Sequence, residues 1–201
     1  MNALILVDIQ NDFLPGGALA VPHGDEVIPV ANELSTRFEL VVATQDWHPP
    51  DHGSFASQHP GHRPGEVIDL HGLGQVLWPD HCIQETHGAA LADGLETGRI
   101  HRVFRKGTDR EVDSYSGFFD NGRRRATGLG DFLLERGVRH VFVAGLATDY
   151  CVKFTALDAL RLGLAGAVVR SGCRAVELSA GDEERALAEI TAAGGHVVER
   201  L

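Results

Sequence analysis

The chain has 201 residues, 43% of them hydrophobic and 23% charged, ordinary usage for a globular domain. At this length about 70% of the unfolded chain's surface can be buried, so no disulfide or structural metal is needed to hold a core. Eighteen Lys and Arg face 28 Asp and Glu, a formal charge of -10, and such a field repels phosphate backbones and anionic lipid surfaces; the expectation is no nucleic-acid and no membrane partner.

Met1–Asp8 carries no basic leader and only five apolar residues in a row, Ala3–Val7. The expectation is therefore neither a secretory signal nor a membrane span, with a cytoplasmic setting, and Ala3–Val7 reads as a first strand running into Asp8. Val27, Val30, Ala31, Leu34 and Phe38 have helical spacing. A second strand, Leu40–Thr44, leads to Asp46 and His48. The next 56 residues, Gln45–Ile100, are too long for a bare connection and too apolar at Val67–Leu70 and Val76–Trp78 for disorder, which marks a functional insertion. Seven of the 11 histidines fall between Asp46 and His87.

A third strand, His101–Phe104, runs into Lys106. Leu129, Phe132 and Leu133 predict a helix stopping near Gly137, and His140–Ala144 a strand followed by a short turn to Cys151. Val152, Ala156 and Leu160 predict a helix ending near Gly163, Gly166–Val169 a strand, Leu187, Ile190 and Ala193 a helix before Gly194, and His196–Val198 a last strand. Continuous apolar strands alternating with amphipathic helices give an α/β fold, a mostly parallel sheet of about six strands covered on both faces. No repeat or linker divides it, so one domain over residues 1–201, with an insertion at about 45–100, is expected.

In open α/β sheets ligands sit outside the carboxyl ends of the strands. Here those ends deliver an acid (Asp8), a metal-type pair (Asp46 and His48), a cation (Lys106) and a thiol (Cys151). The thiol follows Gly145 and a candidate N-cap, Thr148, in what reads as the first turn of a helix. There the helix dipole would lower its pKa and backbone N–H groups could face an oxyanion. Cys82 and Cys173 read as core residues, and three cysteines without a CxxC pair argue against a disulfide framework. Asp46 and His48, two apart on an extended segment, turn the same way, as chelation requires. Spacing leaves the third ligand open among His52, His59, His62, His71 and His81, and the setting Trp78-Pro79-Asp80-His81-Cys82 favours His81. One carboxylate with two imidazoles leaves open positions and suits zinc, iron(II) or manganese.

The runs VDIQNDF (Val7–Phe13), QDWHPPDHGSFAS (Gln45–Ser57), WPDHC (Trp78–Cys82), FRKGTD (Phe104–Asp109), DSYSGFFDNG (Asp113–Gly122) and GLATDYCV (Gly145–Val152) occur in one order. In that order they resemble the nicotinamidase/pyrazinamidase branch of the isochorismatase-like hydrolases. The resemblance implies a Rossmann-like sheet and hydrolysis of nicotinamide to nicotinate and ammonia in NAD salvage, often with pyrazinamide accepted. It implies Asp8, Lys106 and Cys151 as catalytic triad and the amides of Ala147 and Cys151 as oxyanion hole. Phe13 and Trp78 would flank the pyridine ring, and a cis peptide would join Leu146 to Ala147. Asp46, His48 and His81 would hold one divalent ion, zinc first with iron or manganese as alternatives, and His52 is a candidate fourth ligand. Self-association is a family habit. The chain departs from the family where Ala92 and Asp93 replace a frequent His-Pro, which is expected to touch only a peripheral loop. The alternatives are another isochorismatase-like hydrolase, such as an N-carbamoyl amidase, and a dinucleotide-binding module. The second is disfavoured because no GxGxxG or GxxxxGK follows any strand.

Overall fold

The computed structural model describes residues 1–201. Six strands form its main sheet: β1 (Asn2–Val7), β2 (Leu40–Asp46), β5 (Arg102–Lys106), β6 (His140–Leu146), β7 (Ala165–Arg174) and β8 (His196–Val198), side by side as β5-β2-β1-β6-β7-β8. All neighbours are parallel. Each predicted strand is present, which bears out the fold class. β2 is buried along its whole length and β1 everywhere but its first residue, as continuous apolar runs in a two-sided parallel sheet require.

From β1 the chain steps outward through β2 and β5, then returns to the other side of β1 as β6, β7 and β8. α1 (Val27–Ser35) packs on β1, β6 and β7, α3 (Lys153–Arg161) packs on β6, β7 and α4 (Asp182–Ala192), α4 also meets β8, and α2 (Leu129–Glu135) precedes β6. The order reverses between β1 and β6, and a crevice opens there beyond the strand ends. At that point the two strands come close: a Cβ on Gly145 would lie 2.1 Å from the Val7 carbonyl oxygen, so only glycine lets β6 pass β1 in this register.

Several boundaries differ from the predicted ones. α1 stops at Ser35, and Phe38, expected on its apolar face, instead follows a turn and packs on Phe142 of β6 with ring centroids 5.1 Å apart. β2 continues to Asp46, because β5 supplies it with partners as far as Lys106. The insertion is ordered around a hairpin, β3 (Val67–Leu70) and β4 (Leu73–Val76), and two single bridges, His48 to Ile83 and Phe55 to Trp78. No helix is long and apolar enough to cross a membrane.

Candidate active site and ion site

Asp46 and Lys106 are register partners at the ends of β2 and β5, so their side chains leave the sheet together. Lys106 Nζ donates to Asp46 Oδ1 at 2.6 Å and to the Ser114 carbonyl at 2.8 Å, and lies 2.9 Å from Asp8 Oδ2 and 3.4 Å from Cys151 Sγ. Asp8 follows β1 in a left-handed conformation, φ +48°, a state that costs a non-glycine residue about 1–3 kcal/mol and persists where surroundings enforce it. Thr44 Oγ1 donates to its Oδ1 at 2.6 Å. A carboxylate oxygen of Asp8, one of Asp46 and Cys151 Sγ all lie within 4.8 Å of one another. The acid, the cation and the thiol singled out in the sequence therefore share one dry crevice.

The charges settle accordingly. Burial disfavours the Lys106 ammonium, but Asp46 and Asp8 outweigh it and raise its pKa well above the ordinary value. Burial raises the Asp8 carboxyl, with Lys106 pulling it down and Asp46 pushing it up. The expected lowering of the Cys151 pKa is overturned: burial, with Asp8 and Asp46 adding to it, pushes the thiol well above its ordinary value despite Lys106. The resting sulfur thus keeps its proton, and a base within reach becomes necessary.

A second correction concerns the turn carrying Cys151. Thr148 is no N-cap; its Oγ1 donates to Glu183 Oε1 at 3.3 Å. Residues Thr148–Val152 form a single π-helical turn entered from Ala147 without a side-chain cap, and α3 continues from it. Such wide turns recur at functional sites. The N–H groups of Tyr150 and Val152 both donate to the Ala147 carbonyl at 3.1 Å, which pins the turn on either side of Cys151. The peptide joining Leu146 to Ala147 is cis, as the resemblance implied.

Beside this cluster the histidines divide. Donor atoms of Asp46, His48 and His81 lie within 4.8 Å of one another, close enough to share one ion. His48 Nδ1 contacts the Gly107 carbonyl at 2.8 Å and His81 Nδ1 the Pro79 carbonyl at 2.7 Å. A carbonyl only accepts, so both rings carry a proton on Nδ1 and turn Nε2 toward Asp46. Burial disfavours the charged form of His48, but Asp46 outweighs it and raises its pKa, so an ion there would have to displace a proton from that ring. His48 Nε2 is buried without a hydrogen-bond partner, an orphan that a divalent ion would satisfy. Burial and the neighbouring His48 hold the His81 pKa down at about 4, which keeps it in the neutral form that ligates metals. A Cβ on Gly107 would meet the His48 ring at 2.3 Å, so glycine lets the loop close on that imidazole. His59, His62 and His71 fall away: His59 Nε2 bonds the Gly53 carbonyl, His62 pairs with Glu66 at the surface and His71 is exposed. His52 is buried, with Nδ1 against Ser54, and clusters with His48 and Asp113.

The cavity above Cys151 is narrow, about 30 Å³, well below the roughly 300–1,000 Å³ range of drug-sized ligand pockets. Phe13, Trp78, Tyr115 and Tyr150 line it with Ala147 and His81. Trp78 meets the Tyr150 ring edge-on at 4.9 Å and donates from Nε1 to the Tyr115 hydroxyl at 3.3 Å. A flat aromatic ligand of a few atoms is what such walls accept.

The sequence reading missed three participants. Gln10, fully buried, accepts the Asp46 N–H on Oε1 and donates from Nε2 to the carbonyls of Asp46 and Ala89, each at 2.8 Å. Its amide acts as one more strand partner for Asp46. Asp113 places a buried carboxylate in the cavity wall, and Tyr115 lines the same cavity. Each lay inside a recognised run, but only its position relative to other segments reveals the role. The loop after Gly88 is likewise not peripheral. Ala89 and Ala92 are buried, the Ala89 carbonyl accepts both Gln10 and Gln45, and the Ala92 N–H donates to the Ile9 carbonyl at 2.8 Å, whereas Asp93 is exposed as expected. Cys82 and Cys173 are buried and free, as expected of core thiols.

The crevice brings an acid, a cation and a thiol together beneath a small aromatic cavity, on the fold of an α/β hydrolase. The chain belongs to the Isochorismatase domain family, whose model matches residues 2–200. It is 54% identical over 197 residues to the nicotinamidase of Escherichia coli K12, covering 96% of this chain and 92% of that protein. A solved nicotinamidase/pyrazinamidase of Acinetobacter baumanii superposes with a TM-score of 0.95 at 45% identity, over 98% of this chain and 95% of that one. A pyrazinamidase of Pyrococcus horikoshii in complex with zinc gives 0.80 at 38% identity, over 98% of each chain.

Proposed function

We infer that the protein hydrolyses nicotinamide to nicotinate and ammonia through a thioester on Cys151, accepts pyrazinamide as well, and serves NAD salvage in the cytoplasm. The observation that carries this reading is the single buried ammonium, Lys106, touching both Asp8 and Cys151 beneath an aromatic cavity. The ring enters between Phe13 and Trp78. Asp8 takes the Cys151 proton, and the thiolate attacks the carboxamide carbon while the N–H groups of Ala147 and Cys151 hold the oxyanion. The C–N bond breaks as Asp8 returns the proton to the departing nitrogen, giving ammonia. Water then loses a proton to Asp8 and opens the thioester, freeing nicotinate and restoring the thiol. Burial raises the Asp8 pKa and Lys106 opposes it, favouring the ionised form that acts as the base.

Asp46, His48 and His81 would hold a divalent ion, zinc first among zinc, iron and manganese; bound there, it supplies a Lewis-acidic point for the pyridine nitrogen. The N-carbamoyl amidase alternative is not favoured, since the relatives at high identity are nicotinamidases. Ammonia release from nicotinamide, followed before and after Cys151→Ala, tests the reading. The variant should lose at least about 10⁴-fold in turnover with nicotinamide binding retained, and substantial residual turnover would remove Cys151 as nucleophile.

A further inference from the structure

Beyond Cys151 the chain gives the cavity wall one more residue, Val176, from the segment between β7 and α4. The rest of the lining comes from residues 13–151, mostly as aromatic rings and the polar groups already described. What holds Val176 there is Asp149, a residue that no step of the hydrolysis uses. It sits in the π-helical turn two positions before the thiol and is 4% exposed. Its Oδ1 accepts the Val176 N–H at 3.0 Å and its Oδ2 the Glu177 N–H at 2.9 Å. Both carboxylate oxygens are thus taken by adjacent amides of one segment.

That segment behaves as a strap. Arg174 at the end of β7 is the register partner of Leu146 on β6, so the chain leaves the sheet beside the turn that carries the thiol. Residues 177–180 are exposed. Glu177 holds φ +51°, a left-handed state that a non-glycine residue keeps where its surroundings enforce it. The far end is tied at the start of α4, where the Ser179 N–H donates to Asp182 Oδ2 at 2.8 Å. Asp149 therefore clamps the strap at the point where it borders the cavity.

We propose that Asp149 is a positioning residue that holds Val176 against the substrate ring, and that Val176 sets the largest ring the cavity takes. The inference rests on the nicotinamide reading and narrows its substrate class: bare rings enter and ring-substituted ones are refused. Asp149→Asn keeps the shape but replaces one acceptor by an NH₂ group, so one of the two amides meets a donor. The strap then moves off the wall and the cavity widens. Val176→Ala widens it directly, with the clamp intact.

Ammonia release from nicotinamide and from its isomeric ring-methylated derivatives, compared in the unmodified protein, the two variants and the double variant, tests this. In Val176→Ala, kcat/KM for at least one methylated ring relative to nicotinamide should rise about 10-fold or more, the worth of one methyl group in an apolar pocket, chiefly through KM. Asp149→Asn should favour the same isomer, and the double variant should exceed Val176→Ala by less than about 2-fold, since one wall is removed only once. Three results would overturn the proposal: methylated rings already accepted as well as nicotinamide, ratios unchanged in Val176→Ala, or an Asp149→Asn variant that loses kcat equally for every ring. Unmodified protein that releases no ammonia would overturn the activity instead. Amide hydrogen exchange would then still decide the clamp: Val176 and Glu177 should exchange more slowly than the exposed Leu178 and lose that protection in Asp149→Asn. Should that variant not fold, equal exchange of the three amides in unmodified protein would suffice to overturn it.

Discussion

The rim of the sheet and the insertion bring their groups to the site by different physical means. At the rim, register does the placing: Asp46 and Lys106 are ladder partners, and Asp8 and the Cys151 turn extend the adjacent strands β1 and β6. Those positions are as stiff as the sheet. In the insertion, two four-residue strands and two single bridges carry the backbone pairing, and orientation comes from ring nitrogens bonded to nearby loop backbone, as at His81 and His52. Groups that must stay charged in a dry place thus sit on the rigid half. The imidazoles, which need only be aimed, are distributed along loops.

The largest way to break this contrast is to remove the charge that the rim is built around. Lys106→Met keeps the bulk and leaves Asp8 and Asp46 facing each other without a cation. Breaking a buried ion pair in this way costs about 3–5 kcal/mol, read as a lower urea midpoint of the metal-free protein. The pH dependence carries the sign. Burial would raise the Asp46 carboxyl, but Lys106, helped by His48 and His81, holds it well below the carboxylate range. Its ionised form therefore adds stability above the unfolded value of about 3.9, stability that is lost only as pH falls through the depressed folded value. Without the ammonium, burial prevails and the folded pKa rises above the unfolded one, so ionisation in the fold becomes a cost that grows with pH. The deficit of the variant should be greatest at pH 7 and shrink toward pH 4. A deficit constant over that range would assign it to packing instead of charge.

A smaller effect is expected where the two halves are stitched together. Gln10 bonds Asp46 on the rim and Ala89 in the insertion with one side-chain amide. Gln10→Leu leaves a buried N–H and carbonyl of Asp46 unanswered, about 1–3 kcal/mol, and should weaken zinc binding by roughly 10–100-fold, as loss of a group supporting a ligand does. Unchanged zinc affinity with lowered stability would mean that β5 alone aims Asp46.

The rim was legible in the sequence because strands announce themselves as apolar runs, and the residue after each run is then marked for inspection. Asp8, Lys106 and Cys151 were found in that way, and Asp46 with His48 by a spacing of two. Gln10 and Asp113 were not, since a side-chain amide reaching across 36 or 79 residues leaves no periodic trace. A buried glutamine two positions after Asp8 resembles any turn residue until its partners are known. The Thr148 reading failed for a related reason. Local spacing fits an N-cap, but Glu183 at the start of α4 takes the hydroxyl. The thiol's pKa was misjudged because a helix terminus is a local feature, whereas burial by Asp8, Asp46 and the cavity wall is assembled from distant segments.

The smallest effect serves as a control on the charge argument. Arg174, at the end of β7, donates from Nη2 to Glu26 Oε2 at 2.6 Å and from Nε to the same oxygen at 3.2 Å, the same chemistry as the Lys106 cluster but open to solvent. Arg174 lowers the Glu26 pKa, so the pair contributes only above the unfolded carboxyl value of about 4.3 and loses that contribution as pH falls through the folded one. Water screens it, and exposed pairs of this kind add little to stability. Glu26→Gln should leave the urea midpoint at pH 7 within error of the unmodified protein, with any difference shrinking as the pH falls below the unfolded carboxyl value. If it lowered the midpoint as far as Lys106→Met does, ion pairing at the strand ends would matter irrespective of burial, and the distinction between a dry rim and a solvated one would lose its physical basis.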